Sequence, residues 1–200
     1  MTVEPTVGRW KLIDFYELTK PGVMLLVVFT SAAGFYLGSS GSLDLLLFLH
    51  TLVGTVLLSG GSGVLNEFIE READGKMRRT CNRPLPSGRL KAREAAVFGG
   101  ILIIGGSLYL ALLANVLAAS LGVTTIAIYL LVYTPLKTRT PICTTIGAIP
   151  GATPPLIGWA AASGHLDFQA GVLFAILFAW QFPHFLSIAW IYRKDYERAG

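Results

Sequence analysis

Six long apolar stretches alternate with shorter polar connections along the chain. A helix needs about 20 mostly apolar residues to cross the hydrocarbon core of a bilayer. Helix is the expected state of each stretch, because unpaired backbone groups are too costly in lipid. The pattern therefore predicts an all-α, polytopic transmembrane helical bundle. The predicted spans are Pro21–Leu37, Leu43–Leu65, Ala95–Ala114, Val116–Tyr133, Ile142–Ala162 and Phe168–Ile191.

Composition separates this chain from a typical soluble enzyme. Apolar residues make up 53% of the 200 residues and charged residues 14%, against roughly 25% charged in soluble domains. The mean hydropathy is +0.60. Two cysteines, Cys81 and Cys143, are too few for a disulfide framework. We expect no cleavable signal peptide, because the first strongly apolar run begins at Val23 without a convincing cleavage site. The composition predicts an integral membrane protein with the lipid bilayer as its surroundings.

The basic residues are confined to one set of connections. All 16 Lys and Arg lie before the first span, in the second and fourth connections, or after the sixth span. The positive-inside rule then places both ends of the chain in the cytoplasm. The formal charge of +4 is therefore a topology signal, and it gives no reason to expect a nucleic acid partner.

A polar stretch at residues 66–94 follows the second span. Within one transmembrane domain covering residues 1–200, we interpret it as a cytoplasmic catalytic loop, because polar connections this long are often functional. If the second helix continues, Asn66, Glu70 and Asp74 recur every four residues and share one face. Oxygen ligands in such a row suit Mg²⁺, which often takes one or two carboxylates plus substrate phosphates.

An alternative is a solvated helix with ordinary ion pairs such as Glu67 with Arg71. Against it, Glu70 and Asp74 repel each other at this spacing unless a cation lies between them. The glycines of the second span likewise permit two interpretations, close helix packing or room for a bulky ligand. They are Gly54, Gly60, Gly61 and Gly63. In the fifth span, Pro150, Pro154 and Pro155 predict a kink or a broken helix.

Several motifs together resemble one family of membrane enzymes. The acidic stripe is followed by Lys-Met-Arg-Arg-Thr-Cys-Asn-Arg-Pro-Leu-Pro at 76–86, and Leu-Thr-Lys-Pro stands at 18–21. Tyr-Thr-Pro-Leu-Lys-Thr-Arg-Thr-Pro occupies 133–141 and Trp-Gln-Phe-Pro-His occupies 180–184. The combination resembles the UbiA family of intramembrane prenyltransferases, and within it the branch that acts on heme. The resemblance extends over nearly the whole chain.

The resemblance implies transfer of a farnesyl group from farnesyl diphosphate to a vinyl group of protoheme IX, giving heme O and diphosphate. It implies Mg²⁺, with Asn66, Glu70 and Asp74 as catalytic metal ligands, and a second acidic motif to which we assign Asp195. It also implies a bacterial inner membrane location and other membrane enzymes of heme biosynthesis as partners. It further implies about nine spans, of which six are present here, so we expect a chain truncated at its C-terminus.

Cations beside the stripe are candidates for holding the diphosphate, because Lys and Arg bind phosphate oxygens well. The residues that we assign to this role are Lys20, Lys76, Arg79, Arg83 and Lys137. The alternative for Lys20 is a side chain that extends to the membrane interface.

His184 lies inside the sixth span, directly after Pro183. A polar group within a span is a functional candidate, and heme iron often takes a histidine ligand. One interpretation of His184 is therefore a heme contact. The other is a hydrogen bond to a neighbouring helix or to backbone groups freed by Pro183.

Two further functions compete with this interpretation. A UbiA-type enzyme with a quinone or chlorophyll precursor as acceptor would keep the donor chemistry and change the second substrate. A transporter would also tolerate Gly- and Pro-interrupted spans, but transporters place charge near the membrane midplane. Here the acids gather at one membrane face, which favours the enzyme.

Overall fold

The computed structural model describes residues 11–199, which form helices and contain no β-strand. A π-helical segment, Ile128–Tyr133, joins the fifth helix to the sixth. The all-α prediction is confirmed. The helices are α1 (Lys11–Leu18), α2 (Pro21–Gly38), α3 (Leu45–Lys76), α4 (Ala92–Leu113), α5 (Val116–Ala127), α6 (Thr134–Leu136), α7 (Cys143–Ala152), α8 (Pro154–Ser163), α9 (Phe168–Ile191) and α10 (Arg193–Ala199).

Five helical stretches in the described part of the chain are long and apolar enough to cross a membrane. They correspond to five of the six predicted spans, although the second continues well beyond its predicted end at Leu65. Large apolar side chains on their outer faces are exposed, as expected for a surface that meets lipid. The stretches are Pro21–Gly38, Leu45–Lys76, Ala92–Leu113, Val116–Leu136 and Phe168–Ile191.

The remaining predicted span, Ile142–Ala162, consists of two helices that meet at Thr153. Pro154 and Pro155 begin α8, and Pro150 lies inside α7. Each helix has ten residues, or about 15 Å, roughly half of the hydrocarbon thickness. The predicted break is confirmed. The two halves have different neighbours, because α7 packs on α9 and the π-helical segment, whereas α8 packs on α2 and α5.

Backbone contact between α2 and α8 depends on glycine. A Cβ atom at Gly158 would lie 1.9 Å from the carbonyl oxygen of Ser31, and one at Gly34 would lie 2.1 Å from that of Pro155. Both distances are far below van der Waals contact. Small residues let transmembrane helices approach closely enough for dispersion to hold them together.

The glycines of α3 serve the same purpose. A Cβ atom at Gly54 would meet the side chain of Leu110 at 2.4 Å, and one at Gly61 would meet the carbonyl oxygen of Gly99 at 2.9 Å. Gly63 faces the turn between α1 and α2. Of the two interpretations of this cluster, close helix packing is therefore confirmed.

Candidate functional site

The acidic stripe lies on a continuous helix. Because α3 extends to Lys76, Asn66, Glu70 and Asp74 follow one another at successive turns of the same face. Asn66 is 1% exposed and Asp74 is 4% exposed, and the side chain of Glu70 is 17% exposed. This burial excludes the alternative of a solvated helix face.

Each of these three side chains contacts a cationic side chain from a different segment. One cation comes from the junction of α1 and α2, one from the loop after α6, and one from the loop after α3. All three cations are among those assigned to diphosphate binding. The contacts are Lys20 Nζ to Asn66 Oδ1 at 2.6 Å, Lys137 Nζ to Glu70 Oε1 at 2.8 Å, and Arg83 Nη1 to Asp74 Oδ2 at 2.7 Å.

Lys20 occupies a special backbone position. Its φ of 54° lies in the left-handed region, and among residues 11–199 it is the one non-glycine residue with positive φ. This conformation costs about 1–3 kcal/mol, and such residues cluster at functional sites. Burial lowers the pKa of Lys20 to about 8, with Arg83 acting in the same direction. The ammonium is therefore still largely charged at neutral pH.

Lys137 follows α6 directly and reaches across to α3. Its ammonium also lies 5.1 Å from the centroid of the Tyr133 ring. Although burial opposes it, the neighbouring Glu70 carboxylate raises the pKa of Lys137 above its ordinary value. The raised pKa therefore keeps the Lys137 ammonium positively charged.

The polar stretch at 66–94 begins as the last turns of α3 and continues as a loop. Asp74 and Glu67 hold this loop against the helix. The carbonyl oxygen of Asp74 accepts a hydrogen bond from Thr80 Oγ1 at 2.8 Å. Glu67 is 1% exposed, and its Oε1 accepts a hydrogen bond from the backbone N–H of Leu85 at 3.4 Å. The loop after α3 is thus folded back against the helix, which brings Arg83 to the site. The ordinary Glu67–Arg71 pair considered above is replaced by these contacts.

Thr134 was not found by sequence reasoning. Its hydroxyl accepts a hydrogen bond from Asn66 Nδ2 at 3.3 Å and donates one to the carbonyl oxygen of Tyr129 at 2.8 Å. The π-helical segment ends beside it, and Pro135 follows with no backbone N–H. π-Helical turns occur frequently at functional sites. The sequence feature that could have pointed to Thr134 is a threonine directly before a proline at the end of an apolar span.

The donor set of the stripe fits Mg²⁺ in part. Asn66, Glu70 and Asp74 offer the oxygen atoms that this ion prefers. Within the described range, however, no group of three His, Cys, Asp or Glu side chains could hold a metal ion by itself. The residues therefore fit an ion that takes its remaining ligands from substrate phosphates or water.

Asp195 lies in a different setting from the stripe. Its two carboxylate oxygens accept hydrogen bonds from the backbone N–H groups of Arg78 at 3.3 Å and Arg79 at 3.2 Å. The guanidinium of Arg198 donates a third, at 2.7 Å. Asp195 thereby fastens α10 to the loop after α3, beside a basic cavity of about 480 Å³.

The other predicted residues lie at the end of α3, in the loop after α3 and on α9. The guanidinium of Arg79 is 4.7 Å from the centroid of the Tyr192 ring, and Lys76 is exposed at the end of α3. His184 is half-buried on α9 and stacks on Trp180, with ring centroids 4.6 Å apart. The structure thus brings together Lys20, Arg83 and Lys137 at the stripe.

The model of the UbiA prenyltransferase family matches residues 27–200. A protoheme IX farnesyltransferase of Solibacter usitatus is 51% identical, covering 94% of this chain and 67% of the relative. One of Koribacter versatilis is also 51% identical, covering 94% and 62%, and one of Cytophaga hutchinsonii is 41% identical, covering 93% and 65%. The chain thus spans about two thirds of the length of these curated relatives.

Two solved structures share the fold. One, from work on digeranylgeranylglyceryl phosphate synthase, has a TM-score of 0.79 at 22% identity and covers 94% of this chain and 66% of that one. The other is a UbiA homolog from Archaeoglobus fulgidus bound to DMAPP and Mg²⁺, with a TM-score of 0.73 at 16% identity, covering 93% and 67%. At these identities the likeness concerns the fold alone.

Proposed function

The chain belongs to the UbiA prenyltransferase family, and from this premise we propose that it transfers a farnesyl group from farnesyl diphosphate to a vinyl group of protoheme IX. The products would be heme O and diphosphate. Relatives at 41–51% identity that carry the name of this activity support the choice of acceptor. The observation that carries the proposal is the pairing of three oxygen-bearing side chains on α3 with three converging cations.

We propose that the diphosphate of the donor binds between these cations and the stripe. Lys20, Arg83 and Lys137 would exchange part of their contacts with α3 for contacts with phosphate oxygens. Such groups act most strongly on charge that develops during the reaction when they are fixed in place beforehand. The exposed Lys76 and Arg79 would meet the diphosphate at the entrance to the site.

Mg²⁺ is proposed as the cofactor, held by Asn66, Glu70 and Asp74 together with the diphosphate. When bound, the ion would neutralise the negative charge that builds up on the departing diphosphate. Support comes from the oxygen chemistry of the stripe and from the Mg²⁺ named for the A. fulgidus homolog. Asp195 would be a further ligand through a lone pair that its three hydrogen bonds leave free.

The reaction breaks the bond between the allylic carbon and the diphosphate oxygen, and this carbon gains carbocation character. The vinyl π-bond of protoheme supplies the electron pair for the new carbon–carbon bond. Water then adds to the resulting porphyrin side-chain cation and loses a proton, which leaves the hydroxyl group of the product. The apolar surfaces of the surrounding helices would keep other water from the allylic cation.

We further propose that His184 contacts the acceptor. It lies on α9 with its ring stacked on Trp180 and 5.8 Å from the centroid of Phe185, which gives an aromatic surface suited to a flat macrocycle. A histidine nitrogen there is also a suitable ligand for heme iron.

We place the protein in a bacterial plasma membrane with both termini in the cytoplasm. The bacterial relatives and the segregation of basic residues support this placement. Other membrane enzymes of heme biosynthesis are the proposed partners. Reporter tags at residues 1 and 200 test the orientation, and tags on opposite sides of the membrane would refute it.

The proposed activity is tested in membranes that contain this chain, supplied with Mg²⁺, farnesyl diphosphate and protoheme. The S. usitatus relative serves as the positive control, and mass spectrometry detects farnesylated heme. Product from the chain supports the proposal. If only the relative makes product, the assigned activity of this 200-residue chain is wrong, and quinone-type acceptors are tested next.

A further inference from the structure

The first helix exposes large apolar side chains on its outer face and buries a charged one. Asp14 is 4% exposed and Leu18 is fully buried, whereas Leu12, Ile13 and Tyr16 are 75%, 43% and 61% exposed. A surface helix in water directs its apolar face to the protein core. The outer face of α1 therefore matches an apolar environment, such as the boundary between lipid headgroups and acyl chains.

The inner face of α1 is held by Arg89 from the loop after α3. Its guanidinium donates to Glu17 Oε1 and Oε2 at 3.0 Å each, and it also donates to Asp14. Both carboxylates of α1 are thus paired with one guanidinium. Because these contacts fix the rotation of the helix, the apolar face cannot turn inward without breaking them.

A groove of about 820 Å³ lies between α1 and the start of α4. Phe15 and Phe98 meet edge to face, with ring centroids 5.0 Å apart, and join the two helices. On α4, Val97 and Ile101 lie one turn apart and are 55% and 64% exposed. The walls of the groove are therefore apolar and continue along α4 in the direction of the membrane span.

The mouth of this groove carries excess positive charge. Glu94 accepts from the backbone N–H of Lys91 at 3.1 Å and from Lys11 Nζ at 3.2 Å, so Lys11 and Glu94 compensate each other. The side chains of Lys91 and Arg93 also line the groove and are exposed. Cations above an apolar wall complement a ligand with an anionic head and an apolar tail.

We propose that this groove binds an anionic phospholipid, with its phosphate between Lys91 and Arg93 and one acyl chain along Val97 and Ile101. The positive-inside pattern places this end of α4 at the cytoplasmic leaflet, which carries a negative surface potential. The site is built from different residues than the stripe on α3, so it is independent of the proposed activity.

The test compares lipid retention in nanodiscs of phosphatidylcholine with and without phosphatidylglycerol, read by native mass spectrometry. The wild-type chain retains phosphatidylglycerol preferentially. The double variant K91Q/R93Q loses this preference by roughly fivefold per charge, the effect of one basic side chain near an anionic surface. The matched control R139Q/K194Q removes two exposed charges elsewhere and keeps the preference. No preference in the wild type, or equal loss in both variants, overturns the proposal.

A photocrosslinking residue identifies the occupant. Val97→benzoylphenylalanine places the reactive group on the exposed wall of the groove, where the larger side chain does not disturb packing. In nanodiscs that contain both lipids, an adduct with the mass of phosphatidylglycerol supports the proposal, and an adduct with phosphatidylcholine alone overturns it. An adduct between two copies of the chain, or with another protein, overturns it by showing a protein occupant.

Discussion

The ammonium of Lys137 lies 2.8 Å from Oε1 of Glu70 and joins the loop after α6 to the middle turn of the acidic stripe on α3. The two side chains are 33% and 17% exposed, so the pair is only partly shielded from water. A contact of this kind can open without exposing a large apolar surface. The site can therefore admit a diphosphate by redistributing existing contacts rather than by unfolding a helix.

Asp74→Asn should reduce farnesyl transfer by about 100-fold or more, because losing even a group that only orients a metal ligand costs roughly 10–100-fold. The substitution keeps the side-chain size and removes the charge. Product formation is measured across a Mg²⁺ titration, and EDTA should abolish wild-type activity until Mg²⁺ is restored. Glu72→Gln is the control, because the Glu72 side chain is 86% exposed on the same helix. Wild-type turnover in Asp74→Asn would contradict the role of the stripe.

Lys137→Gln should raise the KM for farnesyl diphosphate roughly tenfold, because it removes one charged hydrogen bond worth about 1.5 kcal/mol or more. The KM for protoheme should change little, since Lys137 is assigned to the diphosphate of the donor and not to the acceptor. Arg139→Gln, an exposed position in the same loop, is the matched control. A fall in thermal stability without any change in KM would make the Lys137–Glu70 pair purely structural.

His184→Phe should weaken protoheme binding while leaving farnesyl diphosphate binding unchanged. Phenylalanine preserves the aromatic stack on Trp180 and removes the ring nitrogens that would reach iron or a propionate. Titrating protoheme and following its visible absorption measures this binding directly. His165→Phe, in the exposed connection before α9, is the control. Equal heme affinity in the wild type and His184→Phe would limit His184 to helix packing.

Gly158→Ala should lower the stability of the bundle by about 3 kcal/mol, at the upper end of typical overpacking costs. The added methyl group would collide with the backbone of α2 at Ser31. Thermal unfolding in detergent measures the change. Gly105→Ala is the control, since a Cβ atom there has no neighbour within 4 Å, and alanine favours helix by about 1 kcal/mol. Equal melting temperatures of Gly158→Ala and the wild type would contradict the close contact.

The sequence predicted the arrangement of the stripe because four-residue spacing on a helix is a local property. Four-residue spacing placed Asn66, Glu70 and Asp74 on one face, and α3 continues far enough for that face to exist. The repulsion between Glu70 and Asp74 indicated a nearby cation. In the structure Lys137 and Arg83 lie there, so the repulsion alone does not require a metal, and the role of Mg²⁺ stays a proposal.

Other features depend on tertiary packing that no local pattern encodes. The contact of Thr134 with Asn66 requires a π-helical segment. This segment lies inside an uninterrupted apolar run, where hydrophobic periodicity does not distinguish a π-helix from an α-helix. Arg89 reaches α1 only because the loop after α3 folds back. Asp195 was assigned from the resemblance alone, and its backbone partners at Arg78 and Arg79 follow from the position of α10. Its role as a metal ligand stays a prediction.

The contact of α2 with α8 has a consequence for how the protein is made. The face of α2 formed by Ser31 and Gly34 is complete only when Pro155 and Gly158 lie against it. A ribosome adds about 5–20 residues per second, so on the order of ten seconds pass between the synthesis of α2 and the synthesis of α8. During synthesis this small-residue face is open to any other helix in the membrane. Nascent chains that end before α8 are therefore expected to be the preferred substrates of membrane chaperones and quality-control proteases.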